Sequence, residues 1–251
     1  MIQDPATAQL IHTLFEAGAM ALGAQYYWAL RRRAQLPSAL EGGSFVVLVG
    51  CLLGAALGNK TVFWLEVPQL WVERGGLVGF FLGGQSMVGG LLGGLLGVEA
   101  AKKLSGRRSS TGDLFVYPVL LALMVGRVGC FLAGLNDGTF GTPSTLPLAV
   151  DFGDGIPRHP TQLYEIAFAA LLWLVLRRVQ TRLAPVPGLL WKDTLASYLV
   201  WRLLIDGIKP VPYTYPLGLS GIQWVCLLAL TLYLPLLRRD CRQLSKRSAT
   251  L

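Results

Sequence analysis

Two arginines interrupt apolar runs in this sequence with a group that is costly to bury. Arg127 falls inside "LALMVGRVGCFLAGLNDGTFG" (residues 121–141), flanked by Gly126 and Gly129. Arg202 falls inside "WRLLIDGIKP" (201–210), four residues before Asp206. On insertion scales an arginine at the centre of a membrane helix costs about 2.5–3.5 kcal/mol, so such residues face a partner or a cavity. The four-residue spacing puts Arg202 and Asp206 on one helix face, where they can pair with each other. A third segment, "IPRHPTQLYE" (156–165), brings Arg158, His159, Gln162, Tyr164 and Glu165 to the start of another helix. The planar fork of a guanidinium matches the oxygens of phosphate and carboxylate. These residues alone imply a site for a lipid phosphate, and they name no reaction.

The elements that must position them are membrane helices. Of the 251 residues, 53% are hydrophobic and 14% charged, where an ordinary soluble domain carries about 25% charged residues. Apolar runs predict an all-α, polytopic protein with spans at about 10–30, 44–64, 76–100, 114–134, 162–180, 188–208 and 218–237. Each is near the ~20 residues that a ~30 Å hydrocarbon core requires. Asp4 precedes the first run and its basic cluster follows it, so that run is expected to be an uncleaved helix rather than a signal peptide.

Most of the 22 lysines and arginines gather at alternate helix ends: Arg31–Arg33; Lys102, Lys103, Arg107 and Arg108; Arg177, Arg178, Arg182 and Lys192; Arg238, Arg239, Arg242, Lys246 and Arg247. The positive-inside rule makes those ends cytoplasmic, with the N-terminus outside and the C-terminus inside. A net charge of +8 then reflects a surface facing anionic lipid, and no nucleic-acid partner is needed to explain it. Lys60, Arg74, Arg127, Arg158, Arg202 and Lys209 lie against that rule, in helices or on the outward side. Fourteen acidic residues, Asp137 and Glu165 among them, can compensate part of that charge. The chain reads as a single membrane domain, residues 1–251, with one long outward loop at about 135–160 whose turn signals "NDG" and "GDG" favour order and a small hairpin. Glycines at 89/90, 93/94 and 97 have the spacing of closely packed helices. Neither the four cysteines nor the two histidines, His12 and His159, show metal-ligand spacing, so no metal and no cofactor is expected.

The stretch "GRVGCFLAGLNDGTFGTP" followed by "RHPTQLYE", together with "GGQSMVGGLLGG" and "WRLLID" in the same order, resembles the prolipoprotein diacylglyceryl transferase family. The resemblance implies a seven-helix enzyme of the bacterial cytoplasmic membrane. It would move the diacylglyceryl group of phosphatidylglycerol to the lipobox cysteine of a preprolipoprotein and release glycerol phosphate. Carried over by position, Arg127 and Arg202 are the phosphate-holding arginines, and His159, Asp137 or Glu165 is the base. Cys130, Gly138, Gly141, Gln162, Tyr164, Asp206 and Lys60 are then substrate-binding residues. The sequence departs from the family pattern in three places. Val88 stands where many members have histidine, Cys130 where asparagine is usual, and the Tyr-Gly pattern of the first helix is missing, although Tyr26 and Tyr27 follow later. The same residues also fit an enzyme with this donor and another acceptor, or a non-catalytic phospholipid-binding or transport protein.

Overall fold

The computed structural model describes residues 2–74, 76–107 and 109–248. Arg108, counted above in a basic cluster, lies outside the described residues, as do the side chains of Arg74 and Arg247. The first helix, α1 (Pro5–Arg33), starts where the Asp4 carboxylate accepts from the Thr7 backbone N–H at 2.8 Å. Pro5 occupies the first turn, where its missing N–H costs nothing. Arg31, Arg32 and Arg33 end the helix against the negative pole of its dipole. Then follow α2 (Gly42–Glu66), the short α3 (Pro68–Arg74) and α4 (Leu77–Leu82), and α5 (Met87–Leu104).

The structure divides the run read from the sequence as one span at 76–100. It turns at Gly83–Ser86, and α5 begins afresh with Ser86 as its cap. The carbonyls of Gly83 and Gly84 there accept from Lys60 Nζ at 2.6 and 3.2 Å. Hydropathy hid this break, because the residues on both sides are equally apolar.

Next come α6 (Val116–Ala133), a hairpin of β1 (Val150–Asp151) with β2 (Pro157–Arg158), and the helices α7 (Thr161–Leu183), α8 (Leu189–Ile205) and α9 (Gly221–Ser248). The hairpin is closed by Asp151, whose Oδ1 accepts from the N–H groups of Gly153, Asp154 and Gly155. Across it Arg158 pairs with Asp154 at 2.7 Å, and these hydrogen bonds hold the Asp154 carboxyl below the usual carboxylate range. The start of α8 is fixed from a distance. Gly188, at φ 89°, and Trp191 donate their N–H groups to Asp113 at 2.6 and 3.0 Å. A carboxylate at that position satisfies orphan donors and opposes the positive pole of the helix.

Leu120, Leu195, Leu199 and Cys226 are buried at the centre of the group α6 to α9. On α2 and α5, Gly50, Gly54 and Gly58 interlock with Gly89, Gly93 and Gly97; a Cβ on Gly93 would meet the Gly54 carbonyl, and one on Gly97 the Gly50 carbonyl. Leu10, Leu14, Leu52, Leu53, Leu171, Leu174, Leu228 and Leu232 point outward, exposed. A perimeter this apolar on helices whose backbones are internally paired is what a bilayer requires. Three stretches, Gly42–Glu66, Asp113–Asn136 and Gly221–Lys246, are long and apolar enough to cross one. Because successive helices alternate in direction, the ends of α2, α6 and α8 meet the starts of α5, α7 and α9 at one pole. The basic clusters lie at the other.

Candidate active site

Glu165, near the start of α7, is the hub of the unclustered pole. It is 1% exposed, and its Oε2 lies 2.8 Å from Arg127 Nε and 3.7 Å from Arg202 Nη1. Its Oε1 accepts from the Tyr198 hydroxyl at 2.9 Å. Arg202 turns Nη2 to Asp206 Oδ1 at 2.7 Å, and the other oxygen of Asp206 accepts from Ser220 Oγ at 2.5 Å. Three helices and the start of a fourth are thereby tied through one charged network. Removing one partner from such a network leaves an unpaired buried charge, which is far costlier than the paired state. The apolar cores of α6 and α8 carry arginines at this depth because carboxylates from α7 and the end of α8 meet them there.

The network forms one wall of a cavity of about 160 Å³. Arg127, Arg202, Asp206 and Lys209 face it on one side, with Ser86 and Val88 from the start of α5 on another. Lys209, just beyond α8, has its ammonium pulled down to about 8, by burial first and then by the neighbouring guanidiniums of Arg202 and Arg127. The Nε of Arg202 is buried with no protein acceptor, and neither end of the buried Gln162 amide finds a protein partner. Buried donors of this kind normally have a partner, so an acceptor-rich ligand would complete the site.

The structure brings together Arg127, Glu165, Arg202 and Asp206, with Gly138 on the cavity wall at φ +67°. His159 and Tyr164 contact each other, Nδ1 to hydroxyl at 3.3 Å, and neither is among the residues that line the cavity. Gly141 packs where the loop crosses His159 and Ile208; its N–H donates to the His159 carbonyl at 2.8 Å, and a Cβ would lie 2.6 Å from that of His159. Lys60 holds the turn before α5. Asp137 places Oδ1 3.1 Å from His12 Nδ1 and accepts from Thr139 Oγ1 through its other oxygen. Cys130 Sγ lies 3.7 Å from Arg127 Nη1.

Four residues of this pole were not singled out as site residues in the sequence: Tyr198, Ser220, Lys209 and His12. Tyr198 reads as core in an apolar helix. Ser220 carries no signal. Lys209 shows only as a basic residue against the charge rule, and His12 only as an ionisable group inside an apolar run.

Comparison with known proteins fits this geometry. The model of the prolipoprotein diacylglyceryl transferase family matches residues 11–238. A phosphatidylglycerol–prolipoprotein diacylglyceryl transferase of Nitratidesulfovibrio vulgaris (strain DP4) is 32% identical over 200 residues, covering 73% of this chain and 71% of the relative. The protein of that name from Methylococcus capsulatus (strain Bath) is 31% identical over 208 residues, 75% and 74% of the two chains. The one from Leptothrix cholodnii is 32% identical over 241 residues, 82% and 83%. With most of its length matched, this chain belongs to the prolipoprotein diacylglyceryl transferase family.

Proposed function

We propose that this protein transfers the diacylglyceryl group of phosphatidylglycerol to the cysteine thiol of preprolipoproteins, releasing glycerol phosphate. The observation that carries the reading is the convergence of Arg127 and Arg202 on Glu165 beside a cavity both arginines line, with Arg202 Nε buried and without a protein acceptor. At about 160 Å³ the cavity is smaller than the ~300 Å³ that begins the range for drug-sized ligands. It accommodates a headgroup, and the acyl chains lie among the apolar helix surfaces. Arg127, Arg202 and Lys209 hold the phosphate and take up the charge that develops on the departing glycerol phosphate, a task at which fixed donors in a dry site are effective. Glu165, engaged by two guanidiniums and a phenol, orients the arginines rather than moving a proton. Asp206 does the same for Arg202, and Gly138 leaves room on the wall. Gln162 offers its free amide to the donor lipid. His159 with Tyr164, and Gly141 behind them, shape the long loop under which the peptide approaches.

The chain acts as one domain of seven spans in the bacterial cytoplasmic membrane, N-terminus outside and C-terminus in the cytoplasm. That arrangement places the cavity toward the outward face, where preprolipoproteins emerge. Its partners are phosphatidylglycerol, lipobox-containing preprolipoproteins and bulk membrane lipid. The test is transfer in vitro from phosphatidylglycerol labelled in its acyl chains to a lipobox peptide. Labelled peptide and glycerol phosphate should appear in equal amounts, and a peptide with serine for cysteine should stay unlabelled. Release of glycerol phosphate without peptide labelling would refute the assigned acceptor.

A further inference from the structure

The cavity wall holds no histidine; its proton-accepting groups are Glu66, Lys209 and Asp206, the last bonded to Arg202 and Ser220. Val88 stands on the wall, Glu165 is fully engaged, and His159 is not among the lining residues. Beside Arg127, however, three side chains from α1, α6 and the following loop converge. One donor atom from each of His12, Cys130 and Asp137 lies within 4.8 Å of the other two. The His12–Asp137 pair is already at 3.1 Å. Imidazole, thiolate and carboxylate together suit zinc better than magnesium or calcium, which take oxygen ligands.

With bonds of about 2.0–2.3 Å, ligand atoms in a tetrahedral zinc site stand roughly 3.5 Å apart. The three atoms, within 4.8 Å of one another, would draw together to that spacing around the ion. The second oxygen of Asp137 is held by Thr139 Oγ1, the kind of outer contact that fixes a ligand's orientation. Arg127 approaches the sulfur as a cation, but Glu165 neutralises it at 2.8 Å, and two anionic ligands would balance a dication. The imidazole of His12 is 31% exposed and the Asp137 side chain 2%, so the way in runs past the histidine. Three protein donors leave a fourth position open, as in catalytic rather than structural zinc sites. Gly138 and Thr139, directly after Asp137, line the phosphate cavity, so the two sites adjoin.

We infer that His12, Cys130 and Asp137 bind a zinc ion whose fourth position takes the acceptor thiol; the choice of acceptor rests on the function proposed above. A thiol on such an ion is deprotonated outright, its proton passing to water. The thiolate electron pair then forms the sulfur–carbon bond to the glyceryl group. The carbon–oxygen bond to phosphate breaks, its pair leaving on the oxygen that Arg127 and Arg202 hold. No electrons enter or leave overall.

The test uses the full-length protein in detergent, stripped with a chelator and then given Zn²⁺ or Co²⁺ alone. The stripped protein should take up about one zinc per chain, and its cobalt form should show thiolate-to-metal absorption. In H12A and C130A affinity should fall at least ~10–100-fold, the loss that even an outer-shell change produces. C241S, altered in an exposed cysteine of α9, should bind as the parent does. C130N keeps a side chain that relatives of this family accommodate; it should retain its helical circular dichroism and lose the thiolate absorption. Adding lipobox peptide to the cobalt form should strengthen that absorption, and the serine peptide should not. Uptake no greater than that of C130A, or a cobalt spectrum unchanged by C130N, overturns the site. Full transfer by stripped protein overturns it too and leaves the transferase reading standing. Metal uptake that depends on Cys130, in protein that transfers nothing, supports the site and counts against the transferase reading.

Discussion

Glu165 decides how two arginines survive in apolar helices, and two predictions follow from its surroundings. Replacing it with glutamine would leave Arg127 and Arg202 facing a neutral amide, and breaking a buried pair in this way costs about 3–5 kcal/mol. E165Q should therefore melt well below the parent in detergent; an unchanged melting temperature would contradict the network. Lys209 gives a pH signature. Its folded-state ammonium titrates near 8 and its unfolded one near 10.5. Between those values the unfolded chain holds the extra proton, so stability rises with pH across that window. The charge offered to phosphate falls over the same range. KM for phosphatidylglycerol should climb above pH 8 while thermal stability does not fall, and K209R should flatten the climb. A parent KM that stays level across the window would remove Lys209 from donor binding. Arg127, Arg202, Asp206 and Glu165 were legible in the sequence because a charged residue inside an apolar run demands a partner. The cluster of His12, Cys130 and Asp137 was not, since its members come from separate elements and share no local spacing. Lys60, a substrate-contact candidate by its position, donates to the carbonyls of Gly83 and Gly84.

At the scale of elements, the seam between α2 and α5 positions Ser86 and Val88 on the cavity wall. Gly54 and Gly93 meet backbone to backbone, so a methyl on Gly93 has nowhere to go, whereas one on Gly90 would reach only ordinary contact distances of 3.8 and 3.9 Å. G93A should cost about 1–3 kcal/mol, the range for overpacking a close interface, and G90A should be near neutral. Chemical denaturation of the two variants checks this; equal losses would mean the seam is loose. The glycine spacing announced close packing, yet not which glycines face the partner, because every third or fourth position in this run is glycine. The turn at Gly83–Ser86 was equally hidden. The Lys60 ammonium, the Asn59 amide and the Ser86 cap mark it, and none of them stands out in a hydropathy profile.

For the whole molecule, composition and the alternation of basic clusters were enough to read a helical membrane protein, and the outward-facing leucines agree. The proposed orientation has a direct check. Cys241 is the exposed cysteine among the described residues, and it lies at the basic pole. A membrane-impermeant maleimide should leave it unlabelled in intact spheroplasts and label it after permeabilisation. Labelling in intact cells would invert the topology and place the cavity on the wrong side for its peptide.

The role proposed for Arg127 is to hold the donor phosphate rather than merely to pair with Glu165. Lysine preserves the charge but lacks the planar fork, so R127K separates the two roles. The decisive measurement is transfer from labelled phosphatidylglycerol to a lipobox peptide by folded R127K. The expected result is a fall of about 10²–10³-fold, the usual effect of losing one charge-stabilising donor, with the helical spectrum retained. Near-parental labelling by that variant would mean that Arg127 only pairs with Glu165 and does not hold the phosphate.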